Sequence, residues 1–482
     1  MIKASKKNKF IYFFTILAFS LITSSSYINA QQVADDKSKK QIKYRKARAL
    51  SSKVAKKMAK VYEALELVNE EGEPDPDMKV VVEILTDLRN EKDSIKSYDR
   101  SVMWNAWGYV YYSDEKYLDA IKAYEYLMEE PEATIPLRVG ALLTLGQLHL
   151  SQENFQKGIN YILQWMNEVE TITAQSWSLL GRAYYSVGDY KKALSSLEKA
   201  ISLAEVEGYK PKENWYNIMA ASIGELKDEI GEKESYLRQI DIYEILVNLY
   251  PKKIYFIQLG GIYGQLGREK DYMITLKAAY AKDLLNREGE YLALAQLLLL
   301  NQNPYWAAEV LVSGQKKIVT YNETKIDEAT GEEVKIEKTG PVIKDNEKNL
   351  KLLADSWRMA QEINKAIPVL EQAAKLSKDG KAYVLLGNLY LAEDKLDKAV
   401  DSIKKGLKKG KIDKISQVHL TLGQAYFELQ KFDDAKKEFR IAARDKDKKT
   451  KSTANSWIKY TENEEVRVKN LALRRDYIQS QS

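Results

Sequence analysis

His149 and His419 are the only imidazoles in the chain, and about 270 residues separate them. No carboxylate, hydroxyl or amine stands beside either at a spacing that would build an acid–base or nucleophile pair. Cysteine is absent, which removes thiolate metal sites, a thiol nucleophile, a disulfide framework and a lipid-bearing N-terminal cysteine. Gly260-Gly261-Ile262-Tyr263-Gly264 is rich in glycine but follows no strand, so it is not a phosphate loop. Glu328, Glu332 and Glu333 sit in a stretch that reads as solvated turn and strand. The chemistry left is recognition by rings and amides: the chain carries 32 tyrosines, and no enzyme, cofactor or metal site is expected.

A recurring pattern positions these side chains. Its clearest copy is Trp177, Leu180, Gly181 and Tyr184, followed by Ala193, Leu197 and Ala200. Trp104, Trp107, Gly108, Tyr111, Ala120 and Tyr124 fill the same slots. So do Leu142, Leu145, Gly146, His149, Gly158 and Ile162, which makes His149 a packing residue; His419, with Leu422, Gly423, Tyr426, Ala435 and Phe439, reads the same way. Tyr383, Leu386, Gly387, Tyr390 and Ala399 form another copy, and weaker ones centre on Met219, Gly260, Ala295 and Ala354. The small slot recurs at intervals of 33 to 41 residues, with one exception of 59 between Ala295 and Ala354. A small residue at a fixed place on each of two helices lets them cross closely, and large residues fill the space between successive hairpins. This spacing resembles the tetratricopeptide repeat. The resemblance implies an all-α, right-handed α-solenoid of about nine to ten helix–turn–helix units.

Residues 1–30 read as a secretory signal: Lys3, Lys6, Lys7 and Lys9, an apolar run Phe10–Ile22, and a cleavage point after Ala30. An uncleaved inner-membrane anchor is the alternative. These four lysines supply most of the formal net charge of +6, so the remainder is near neutral and nucleic acid loses support as a partner. Residues 31–100 form a basic N-terminal region with a degenerate first helical unit. Within it, Val54, Met58, Val61, Leu65 and Val68 line one helical face, and the lysine-rich stretch 37–60 is either solvated or a contact for an anionic membrane surface or an acidic partner. Repeat units occupy 101–315 and 347–446, and 316–346 is a β-hairpin-like insertion that explains the long interval. Residues 447–482 form a capping helix and tail, with Glu462 to Arg467 facing water.

In the tetratricopeptide-repeat family, four positions of each first helix line a concave groove. Carried onto this chain they include Asn105, Tyr109, Tyr112, Gln147, Arg182, Tyr185, Tyr216, Gln296, Asn388 and Gln424. Such a groove suits an extended peptide, with rings supplying area and amides bonding its backbone. Asn105 and Tyr109 with no lysine beside them depart from the clamp that grips chaperone C-termini. The signal, the run of units, Pro211-Lys212-Glu213-Asn214-Trp215-Tyr216 and Tyr250-Pro251-Lys252-Lys253 resemble periplasmic repeat proteins assigned to the TonB system of Gram-negative bacteria. That resemblance implies a periplasmic scaffold for outer-membrane uptake with TonB, ExbB or ExbD as partners. A scaffold for outer-membrane protein assembly or peptidoglycan control stays open beside it.

Overall fold

The computed structural model describes residues 48–326 and 333–481. The signal sequence, Lys37 to Lys46 of the lysine-rich stretch and the hairpin turn Asp327–Gly331 lie outside the described residues. Twenty-two α-helices and one two-stranded sheet are found among the described residues. The chain divides into two compact units, 1–151 and 152–482.

In the first unit, α1 (Ser52–Leu65) packs on α2 (Met78–Asn90), α3 (Ser97–Ser113) on α4 (Tyr117–Glu129), and α5 (Ile135–Ser151) on α4. Val54, Met58 and Val61 are buried as their helical spacing requires, but the helix stops at Leu65. Val68 therefore leaves the apolar face and forms an isolated β-bridge with Pro74. The lysines of α1 are not uniformly solvated. Lys53 pairs with Glu91 at 2.6 Å, and Lys57 lies 3.7 Å from Asp87.

The second unit opens with α6 (Phe155–Glu168) and continues through α7 (Ala174–Ser186) and α8 (Tyr190–Val206). The next hairpin is α9 (Glu213–Glu225) and α11 (Glu232–Leu249), with the one-turn helix α10 (Lys227–Ile230) between them. That extra turn accounts for the 41-residue interval from Met219 to Gly260. Then come α12 (Lys253–Gln265) with α13 (Glu269–Ala281), and α14 (Glu288–Leu300) with α15 (Pro304–Lys316). Strands β1 (Ile318–Ile326) and β2 (Glu333–Pro341) pair antiparallel, with Tyr321 opposite Lys338. The repeat resumes in α16 (Glu347–Met359) with α17 (Ile363–Leu376), α18 (Lys381–Ala392) with α19 (Leu396–Lys409), and α20 (Ile415–Glu428) with α21 (Phe432–Ala442). The last helix, α22 (Lys448–Gln481), packs on α21.

Steric space explains the small slots. A Cβ added at Gly181 would lie 2.8 Å from Leu197 Cγ and 3.2 Å from the Ala193 carbonyl oxygen; at Gly423 it would lie 2.5 Å from Phe439. Ala193, Ala399 and Ala435 on the facing helices have no solvent exposure. Gly380 and Gly406 bring two backbones together, an approach that the repeat pattern alone does not reveal. Most hairpins turn by one device. A residue with φ near +60°, such as Glu115, Gly188, Gly267, Gln302, Gln361, Asp394 or Gln430, ends the first helix. The next N–H then bonds back to the carbonyl of the large aromatic or leucine slot: Lys116 to Tyr111, Asp189 to Tyr184, Arg268 to Tyr263, Lys395 to Tyr390, Lys431 to Tyr426, at 2.8–3.0 Å.

The β-hairpin is rooted in the core rather than tied on loosely. Val342 and Ile343, just after β2, are buried, and Ile343 fills the space left by Gly314. Lys317, at the start of the insertion, bonds the Leu285 carbonyl at 2.7 Å and Asp283 at 2.5 Å.

Candidate functional site

The groove residues expected from the repeat separate into three physical classes. In the first unit, Tyr109 is 37% exposed on α3, and Asn105 and Gln147 are half-buried. In the second unit Arg182, Gln296 and Asn388 are exposed, and Gln424 is half-buried. Each follows directly on the small slot of its helix (Gly181, Ala295, Gly387, Gly423), so they stand at one register of α7, α14, α18 and α20. None of these four makes a side-chain hydrogen bond or ion pair among the described residues. Their polar groups are open to a ligand. At the same register α9 has Ala220, α12 has Gly261 and α16 has Asp355, which is bonded to Arg358, so the open polar series is interrupted at three repeats.

A second class holds the hairpin together. Tyr112 lies 5.9 Å from Tyr117, Tyr185 lies 5.6 Å from Tyr190, and Phe427 lies 5.8 Å from Phe432, each pair tilted or edge-on. The same two positions of the repeat thus carry an aromatic clasp across the turn in three hairpins. Tyr112 and Tyr185 are half-buried, and each gives part of its ring to this contact.

Tyr216 forms the third class and is a correction. Its side chain is 2% exposed, packed with Trp215, Met219 and Leu246, and no ligand reaches it. Ser178, on the matching turn of α7, is likewise buried and bonds the Gln175 carbonyl. In these two repeats the position three residues before the small slot packs against the neighbouring repeat, whereas Asn105 at the same position of α3 is half-buried.

The two stretches around Pro211 and Tyr250 meet in space. Tyr250 donates to the Pro211 carbonyl at 2.5 Å, and the Lys210 ammonium lies 3.7 Å over the Tyr250 ring. Lys252 bonds Glu213 at 2.6 Å, Tyr255 donates to Glu213, and Asn217 donates to the Tyr255 hydroxyl at 3.0 Å. The Lys252 hydrogen bond holds the Glu213 carboxyl below its ordinary range. Burial first, then the bond to Glu213, pushes the Tyr255 phenol up. These charges are satisfied by one another, and the cluster is a staple between successive hairpins. It continues as Lys253 to Glu290 at 2.6 Å and Glu288 to Asn349 at 2.6 Å.

A cavity of about 540 Å³ opens in the first unit. Its walls carry Trp104 and Tyr126, with ring centroids 4.8 Å apart, and the Arg100–Glu130 fork at 2.6 and 2.9 Å. Arg89 also lines it, with its guanidinium 4.6 Å over the Trp107 ring and bonded to the Tyr111 hydroxyl. Sequence spacing did not disclose this cavity, because its lining mixes three helices and the turn at Lys92 and Asp93.

The histidines do not share an environment. His149 is buried within α5, with Glu125 4.0 Å away. His419 is more than a packing residue, since its Nδ1 lies 2.6 Å from Glu438 on the facing helix α21. No cluster of three metal-ligating side chains, and no helix long and apolar enough to cross a membrane, is found among the described residues.

Paired helices of fixed spacing, a small slot at each crossing and an open polar register define a helical-repeat scaffold. Residues 174–205 and 380–408 each match a tetratricopeptide-repeat family model, so the hairpins α7–α8 and α18–α19 are repeats of that kind. The chain is 22% identical over 352 residues to the CTR9 homolog of Arabidopsis thaliana, covering 68% of this chain and 30% of that protein. It therefore spans less than a third of the length of that curated relative. Among solved structures, a MamA protein aligns at 20% identity and a TM-score of 0.31, over 38% of this chain and 92% of that one. A tetratricopeptide repeat protein from Parabacteroides merdae aligns at 12% identity and 0.23, over 60% of this chain and 98% of that one. Naa15/Naa10 bound to HypK-THB aligns at 12% identity and 0.37, over 86% of this chain and 67% of that chain.

Proposed function

We propose that this chain is a non-enzymatic scaffold that binds extended segments of protein partners along its first-helix faces. The carrying observation is the register of Arg182, Gln296, Asn388 and Gln424, polar side chains that the fold leaves unspent. An extended peptide presents unpaired N–H and C=O groups along its length, and amides that both donate and accept match them. One cation among four positions fits backbone recognition better than a charged ligand.

The proposed setting is the periplasm, in the company of TonB, ExbB or ExbD. The basic, apolar and small-residue pattern of residues 1–30 supports export. The Pro211 and Tyr250 stretches support the resemblance to repeat proteins of that system. A photo-crosslinking residue placed at Arg182 or Asn388, with Lys199 on α8 as the control position, tests the reading in cells. The expected result is capture of a TonB-system protein at the first two positions and not at the third. Equal capture at all three positions, or capture only of proteins from another envelope process, overturns the corresponding part of the proposal.

A further inference from the structure

Two successive turns of the second unit collect positive charge. Residues 375–381, leading from α17 into α18, and 408–415, leading from α19 into α20, together hold seven lysines and two aspartates. The fold sets these turns side by side. The Gly380 N–H bonds the Gly410 carbonyl at 2.8 Å, and the Lys409 ammonium bonds the Ala374 carbonyl at 3.0 Å. Gly380 and Gly406 carry no side chain where the two backbones meet, so packing forces the like charges together. Both aspartates are engaged, Asp413 with the Lys381 ammonium at 2.7 Å and Asp379 with the Lys381 N–H at 3.0 Å. Lys375, Lys378, Lys408, Lys411 and Lys414 are exposed, and their side chains make no hydrogen bond, ion pair or ring contact among the described residues. Two aliphatic side chains stand among them: Leu376 is 52% exposed and Ile415 50%.

Helix ends account for only part of this cluster. Lys375 and Lys408 lie in the last turns of α17 and α19, where the helix dipole favours a cation. Lys378 and Lys411 lie beyond those ends, and Lys411 is held at φ +55°. Lys414 is the N-cap of α20, where the dipole opposes a cation. Local stability therefore does not call for these three. Their chemistry names the occupant. Both turns lack arginine, whose planar fork selects single carboxylates or phosphates, and hold only the compact point charge of lysine. Unpaired point charges around exposed aliphatics match a diffuse anionic layer over an apolar interior. An acidic peptide would answer the lysines and leave Leu376 and Ile415 in water. We infer that turns 375–381 and 408–415 form a contact for an anionic membrane surface, with the lysines on the headgroups and Leu376 and Ile415 entering the interfacial layer. This contact does not use the register of Arg182, Gln296, Asn388 and Gln424.

The absence of native cysteine allows a single reporter thiol to be placed in the full chain. Leu376→Cys and Ile415→Cys, each labelled with a nitrobenzoxadiazole fluorophore, read entry into lipid, and Val206→Cys, at an 82% exposed position ending α8, is the control. The probes are vesicles of phosphatidylcholine alone and with about 30% phosphatidylglycerol. The expected result is a blue-shifted emission, brighter by about threefold or more, at 376 and 415 with the anionic vesicles only, and no change at 206. In Lys408→Glu/Lys411→Glu/Lys414→Glu the lipid concentration for half response is expected to rise more than about tenfold, with the thermal melt retained. Lys56→Glu/Lys60→Glu on α1 is expected to leave it unchanged. No response at 376 and 415 overturns the inference. So does a response shared by position 206 or by neutral vesicles, one that survives the triple reversal, or one lost in the α1 variant. A response to a polyglutamate peptide and not to vesicles overturns it too, and assigns the cluster to an acidic protein segment.

Discussion

At the scale of single residues, the repeat lives or dies at its small slots. Gly181 faces Leu197 and the Ala193 carbonyl at distances that no real side chain tolerates without movement. Gly181→Leu therefore overpacks a helix crossing, and we expect a loss of about 1–3 kcal/mol, read by thermal or urea unfolding. The turn residue is a second sensitive point. Gly188 has φ +77° with open space around its Cα, so Gly188→Ala suffers backbone strain alone and is expected to lose about 1 kcal/mol. Gln430 sits at the equivalent place with φ +55°, and Gln430→Gly is expected to be neutral or slightly stabilising in the same measurement, because relief of strain offsets the added chain entropy. The tyrosine of the repeat does more than fill volume. Tyr390 donates to Glu371 on the preceding second helix, and burial followed by that bond pushes its phenol up to about 12. Tyr263 does the same with Glu244 at 2.6 Å.

At the scale of elements, the insertion and the cap behave differently from ordinary repeats. Ile343 sits at the root of the β-hairpin with 1% exposure, against Gly314 and Tyr291. Ile343→Ala is expected to cost about 2–5 kcal/mol in a denaturant melt, whereas replacing 320–339 by a short turn leaves that root and should leave the fold standing. The cap has an acid-sensitive anchor. Hydrogen bonds from Lys436 and Lys469 hold the Glu465 carboxyl at about 2, below its ordinary 4.5. A depressed carboxyl stabilises the fold above its unfolded value, and that contribution fades as pH falls from about 4.5 through about 2. The melting temperature of the native chain is thus expected to fall more steeply across that window than that of Glu465→Gln, by circular dichroism. It also corrects the reading of Glu462 to Arg467 as a plain water-facing run. The repeat was legible in the sequence because small residues and aromatics must recur wherever helices cross. The aromatic clasps Tyr112–Tyr117 and Tyr185–Tyr190 were not, because exposed and packed tyrosines have the same spacing until the turn geometry is known. Tyr216 failed for a related reason: a helical position that is open in one repeat is closed where the next helix leans on it.

At the scale of the whole molecule, the proposed function assigns stability and recognition to different positions of the same helix. Ser178 and Tyr216, one turn before the small slot, pack against the next repeat, and Arg182 and Asn388, directly after the slot, face outward. The two roles can therefore be separated by substitution. Arg182→Ala/Gln296→Ala/Asn388→Ala removes three outward polar groups without touching the core, and its stability should stay within about 0.5 kcal/mol of the native chain per site. Its affinity for a TonB-system protein captured by crosslinking should fall by about tenfold or more, measured by calorimetry. Tyr185→Ala gives the opposite pattern, a lower melting temperature from the lost ring contact, worth about 0.5–1.5 kcal/mol, with little change in binding. Raising salt from about 50 to about 500 mM shortens screening from roughly 14 to roughly 4 Å and should weaken binding only slightly, because the proposed contact is carried by amides and not by ion pairs. Binding that survives the triple substitution but collapses in salt would move the site to a charged surface, and the exposed Lys56 and Lys60 of α1 would be the first to replace.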